Sequence, residues 1–226
     1  MSARQHVDDV DAYLAVTQDE IYADIDRSAT AAAAGGGLLF ALIDAAIDNS
    51  RTSDAEDLIK PIRNSLIDFD YAEMLQSTIE KRFNDIKWMN VNKVELERSI
   101  GDGHVIDKIQ KSKVSAVLFM TVDYKLASNF DAVTTSAALI MFPNKEALYE
   151  FKEQIDNNEH PADNSDNIYK NTITVTIPLG LGGDKEANAS ILAKSNASEV
   201  KKALEKSAQK IAQDIIIDIE ADEVKG

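Results

Sequence analysis

The sequence predicts an α/β (α+β) fold: a mixed, largely antiparallel sheet with a long central hairpin, packed against several helices. Three observations carry this expectation. Two long apolar stretches, "SAVLFMTVDYKL" at 115–126 and "DAVTTSAALIMF" at 131–142, adjoin across the short turn Ala127-Ser128-Asn129-Phe130 and read as paired strands. "YKNTITVTIPL" alternates cleanly, with Ile173, Val175 and Ile177 toward a core and Thr172, Thr174 and Thr176 away from it. Stripes at helical spacing before and after these strands supply the covering layer.

The elements follow in order. "YLAVTQDEIYADI" holds two β-prone runs, Tyr13–Val16 and Glu20–Ile25, and the intervening Thr-Gln-Asp predicts a hairpin. Ser53 with Glu56 fits a capping box, so a helix should start at Asp54 and carry Leu58, Ile59, Ile62 and Leu66 inward. Pro61 lacks the N–H that the helical ladder needs and should kink or restart that helix. Asp70 and Glu73 repeat the start signal ahead of the stripe Leu75, Ile79, Phe83. "IKWMNV" from Ile86 is short and β-prone, and "VIDKIQKSK" after Gly103 reads as a short helix. The 115–126 stretch is apolar on both faces through Met120 and then alternates, as a central strand does whose far end emerges into water. Pro143 ends the second long strand, and Asn144 can cap a helix carrying Leu148, Phe151 and Ile155. The polar "DNNEHPADNSDN" at 156–167 is expected to be a mobile acidic loop. Gly180, Gly182 and Gly183 break the chain, and one long helix with Val200, Leu204, Ala208, Ile211 and Ile215 closes it. No repeat is visible, and one domain over 1–226 is expected.

"AAAAGGGLLFALIDAAIDNSR", Ala31 to Arg51, is ambiguous on sight. Ala29 to Ile43 offers fifteen residues before Asp44, mostly Ala and Gly, where a membrane span needs about 20 predominantly apolar ones. Gly35, Gly36 and Gly37 are adjacent rather than spaced as small-xxx-small, so they predict a hinge or a contact segment entering an amphipathic helix from Leu38. Asp44, Asp48 and Arg51 share one polar stripe of that helix, and with Arg63 they are candidates for a structural polar network joining the first helices. Separate surface ion pairs are the simpler alternative.

Composition narrows the function classes. Lys and Arg total 24 against 39 Asp and Glu, a formal net charge of −15 spread along the chain. Such a surface repels phosphate backbones and anionic headgroups, so no nucleic-acid partner is expected. Cysteine is absent, which removes disulfides, zinc-thiolate sites and thiol catalysis together. His6, His104 and His160 are scattered, with no second ligand at metal spacing. "DNSDN", Asp163 to Asn167, has oxygen ligands but neither the glycine turn nor the distal Glu of a calcium loop. "GLGG", Gly180 to Gly183, stands between strand and helix where a phosphate loop would stand, yet it lacks the third glycine and the Gly-Lys ending, and Asp184 would repel the anion. No serine sits in a G-x-S-x-G elbow. The expectation is therefore no catalytic residues, no cofactor and no metal.

Three longer strings carry a resemblance. "DEIYADIDRSA…GGGLLFALIDAAIDNSR…AEDLIKPIRNSLIDFDY", then "VLFMTVDYKLASNFDAVTTSAALIMFP", then "NIYKNTITV" resemble a group of uncharacterised bacterial envelope lipoproteins over most of the chain. The long hairpin backed by helices is similar, at the level of fold, to the curli secretion channel lipoprotein and to the amino-terminal domain of the Tol-system propeller protein. The resemblance implies a periplasmic soluble part held at the outer membrane by an acylated cysteine ahead of residue 1. It implies a non-enzymatic role in binding or assembly, with an envelope protein or a second copy as partner and membrane contact only through the anchor. The alternative is an oligomeric, membrane-associated assembly or secretion subunit using the Gly35 to Ile47 region or the 115–142 hairpin. An enzyme with an unrecognised site is third.

Overall fold

The computed structural model describes residues 7–24, 53–97, 102–144 and 167–221. One six-stranded sheet organises them. Its strands are β1 (Asp9–Val16), β2 (Tyr22–Ala23), β3 (Asn90–Glu97), β4 (Ala116–Leu126), β5 (Ala132–Pro143) and β6 (Tyr169–Pro178). The order is β3-β1-β4-β5-β6, with β2 also alongside β4. β1 runs parallel to both β3 and β4, while the longer β4–β5 and β5–β6 ladders are antiparallel. The helices are α1 (Ser53–Ser65), α2 (Tyr71–Phe83), α3 (Asp102–Lys111), α4 (Lys185–Lys194) and α5 (Ser198–Ala221).

The central hairpin forms as the sequence predicts, with Leu126 opposite Val133 and Ala116 opposite Pro143. β4 is buried without a break from Ala116 to Val122 because both faces are covered. Leu118, Met120 and Val122 join the main core, to which α2 contributes Leu75, Ile79 and Phe83 and α5 contributes Leu204, Ile211 and Ile215. Val117 and Phe119 point to the opposite face, where Tyr13 and the α3 residues Val105 and Ile109 meet them. The far end emerges less than expected: Asp123 and Lys125 are half-buried, and Tyr124 and Leu126 stay inside.

Four expectations are corrected. The amino-terminal runs do not form a hairpin, because β2 continues along β4 in the same direction as β1. The reason is local. Thr17 donates its N–H to Val122 O at 3.0 Å and Asp24 donates to Leu126 O at 2.7 Å, so the chain stays on the β4 edge. Between them the Gln18 carboxamide stands in for a strand residue, donating to Tyr124 O and accepting from Tyr124 N.

α1 runs unbroken through Pro61. The carbonyl that loses its helical partner belongs to Asp57, an exposed residue, so solvent can satisfy it. The third strand begins at Asn90, later than Ile86. The chain first turns off α2 through Asp85 N to Arg82 O and Ile86 N to Phe83 O, which buries Ile86 and Met89 as packing residues. The closing segment is two helices, not one, because Asn196 and Ala197 adopt φ of 51° and 54° and redirect the chain.

Candidate functional site

β1, β3 and β4 are parallel neighbours, so their carboxyl ends lie on one side of the sheet. The chain passes from β1 to β3 through α1 and α2 on the main-core face, then from β3 to β4, on the other side of β1, through α3 on the opposite face. Crossovers that leave on opposite faces open a crevice beyond the strand ends, the usual place for a ligand in an open α/β sheet.

That crevice is present as a cleft of ≈ 930 Å³. Val16 ends β1, and Gln18 and Asp19 follow it. Leu96 and Glu97 end β3, Tyr124 comes from β4, and Ile67 to Ala72 supply the α1–α2 connection and the first turn of α2. Asp70 caps α2, accepting from Glu73 N at 2.9 Å, so the positive end of the helix is already met by a carboxylate. Glu97 is paired with Lys108. Among the described residues no Lys, Arg or His lines the cleft, and Asp19 and Asp68 are exposed and make no ion pair with any of them. Apolar surface is exposed beside them: Ile67 is 82% and Leu96 37% accessible.

The floor holds two tyrosines with ring centroids 4.5 Å apart. Tyr71 lies in a satisfied buried cluster, its hydroxyl 3.1 Å from Ser207 Oγ and 3.4 Å from Thr135 Oγ1, while Ser207 donates to Leu204 O. Tyr124 differs. It is only 6% accessible, yet its hydroxyl has no hydrogen-bond partner among the described residues. Burial pushes the Tyr124 hydroxyl above its ordinary 10.0, and nearby Tyr71, Asp19 and Asp70 push the same way. Burial likewise raises Tyr71. Both phenols therefore hold their protons at neutral pH and act as hydrogen-bonding groups rather than bases.

On the α3 face a second depression of ≈ 500 Å³ is internally neutralised. Lys93 and Lys108 stand 4.8 and 4.4 Å from the centroid of the Tyr13 ring. Glu95 binds both, at 2.7 and 3.3 Å, and Lys108 also reaches Glu97. The hydrogen bond from Lys93 holds the Glu95 carboxyl below its usual range, with Lys108 adding to it.

Of the residues the sequence singles out, Gly35, Gly36, Gly37, Asp44, Asp48 and Arg51 lie outside the described residues, as do most of the 156–167 loop, the Leu148–Ile155 stripe, His6 and His160. Arg63 is described. It pairs with Glu56, approaches Glu20 at 3.5 Å and donates to Ile21 O at 2.8 Å, so it ties α1 to the segment entering β2. The glycine loop is a packing device. Buried Asn188 donates to Asn129 O at 2.8 Å and Gly183 O at 3.1 Å and accepts from Gly183 N at 3.1 Å, which fastens the loop to the β4–β5 turn. The cleft residues Gln18, Asp19, Ile67, Asp68 and Tyr124 are not legible as a site, because three distant segments supply them. Exposed Ile67 inside "LIDFD" is the single local hint.

No family model matches the chain, and no curated protein matches it. Among solved structures, a Xanthomonas campestris protein of the DUF330 family aligns over 96% of this chain and 88% of its own, at 11% identity and a TM-score of 0.37. An uncharacterised protein aligns over 92% of each chain at 13% identity and a TM-score of 0.30. A Caulobacter crescentus protein provisionally described as a lipoprotein aligns over 66% of this chain and 96% of its own, at 12% identity and a TM-score of 0.23.

Proposed function

We infer that the chain is a non-enzymatic binding or assembly module of the cell envelope, a periplasmic domain anchored at the outer membrane by a lipid ahead of residue 1. The cleft carries the binding half of this reading. It joins exposed apolar side chains to exposed carboxylates and to a phenol whose hydroxyl has no partner among the described residues, a recognition surface rather than an assembled acid–base pair. The anchor rests on the resemblance drawn from the sequence. No described helix is long and apolar enough to cross a membrane. Intact mass of the protein from its native cells, with its amino-terminal peptide sequenced, tests the location. An acylated cysteine supports it, and an unmodified terminus near Met1 overturns it. Turnover of a hydrolase substrate panel at enzyme-like rates overturns the non-enzymatic part.

The 115–142 hairpin is a poor contact for the oligomeric alternative. β4 and β5 are internal to the sheet, flanked by β1 and β6.

A further inference from the structure

The cleft at the carboxyl ends of β3, β1 and β4 has a definite chemical character. Among the described residues its lining includes Asp19, Asp68 and Asp70 and no cationic side chain. Lys108, which reaches the lining residue Glu97, is committed to Glu95 and Glu97. The cleft therefore presents uncompensated negative charge and disfavours anions, phosphates and carboxylate-ended ligands. Charge is half of the pattern. Ile67 and Leu96 stand exposed beside Phe69 and Val16, so a ligand that is cationic but wholly polar leaves this apolar surface in water. The other feature is the hydroxyl of Tyr124, a residue 6% accessible, which lines the cleft and has no hydrogen-bond partner among the described residues. A hydroxyl that opens into a cleft from a largely buried ring can donate a hydrogen bond to, or accept one from, a ligand that displaces its water.

We propose that this cleft binds an extended basic–apolar peptide segment of a partner protein. A lysine or arginine lies among Asp19, Asp68 and Asp70, a neighbouring apolar side chain covers Ile67 and Leu96, and the peptide hydrogen-bonds the Tyr124 hydroxyl. The volume suits a few residues of extended chain. The apolar rim selects a peptide over a free polyamine, which has nothing to place on Ile67. The proposal rests on the binding-module reading and adds the ligand class.

Calorimetric titration of the full chain at low salt tests it, with a five-residue probe peptide alternating lysine and leucine, its glutamate–leucine counterpart, and spermine. The lysine peptide binds, and the glutamate peptide does not. Asp19→Asn with Asp68→Asn weakens binding about tenfold, and Tyr124→Phe, which keeps the ring, weakens it about fivefold. Ile67→Ser weakens it about threefold or more, whereas Glu205→Gln on the far exposed side of α5 changes nothing. Silence from the lysine peptide overturns the proposal. So does spermine binding as tightly as the peptide, or losses as large from Glu205→Gln as from the cleft variants, since either result means diffuse attraction to an acidic surface. A photo-crosslinker at Ile67 that captures a partner while the lysine peptide fails leaves the binding-module reading standing and removes only this ligand class.

Discussion

Asn188 shows how much a single buried carboxamide can hold. It is 0% accessible and serves the Asn129 carbonyl and both backbone polar groups of Gly183. Asn188→Ala strands these groups away from water and should destabilise the fold by about 2–4 kcal/mol, read as a lower urea midpoint at unchanged slope. Gly183 itself is needed for close approach: a Cβ there would meet Ala187 Cβ and Asn188 Oδ1 at 3.0 Å each, while at Gly182 it would meet nothing within 4 Å. Gly183→Ala should therefore destabilise by about 1–3 kcal/mol, and Gly182→Ala should leave the midpoint unchanged or raise it. Asp123 gives a prediction in pH. Burial raises its carboxyl above the usual 3.8, against the opposing pull of Lys125 and the Tyr22 hydroxyl. The folded chain then keeps a proton that the unfolded chain releases, so this group's contribution falls as pH rises from 3.8 through the folded value. Asp123→Asn removes that loss, and its melting temperature relative to wild type should climb between about pH 4 and about pH 7. Parallel profiles for the two proteins would remove Asp123 as the cause.

Gln18 bridges the interval between β1 and β2 on the β4 edge. Gln18→Ala should cost about 1–2 kcal/mol and speed hydrogen exchange at the Tyr124 amide more than at Leu118, deep in the β1–β4 ladder. Exchange unchanged at Tyr124 would show that the carboxamide does not close the edge. Strands and helices with strong periodicity were readable in advance: β4 and β5 from their apolar runs, β6 from its alternation, α2 from Asp70 and its stripe. The hairpin expected at the amino terminus failed because turn-forming residues at 17–19 say nothing about a third strand, over a hundred residues on, that captures both runs. The break between α4 and α5 is disguised in the sequence by the alanine at 197. Asn196 was the available signal, as asparagine enters the left-handed region more readily than most residues. The cleft could not be read at all, since its charge and its apolar rim become neighbours only when β3, β1 and β4 align.

A net charge of −15 repels anionic surfaces, while the sheet gathers part of that charge beside exposed isoleucine and leucine at one end. In the binding-module reading, this end of the sheet is the working surface. Site-specific placement of a photo-crosslinking amino acid in native cells tests it most directly, at Ile67 in the cleft and at Ile217, an exposed isoleucine on α5 that is 55% accessible. A discrete adduct from position 67 that is absent from position 217, and that disappears when Asp19→Asn and Asp68→Asn are added, is the predicted result. No adduct at 67, or the same adducts from both positions, would contradict it.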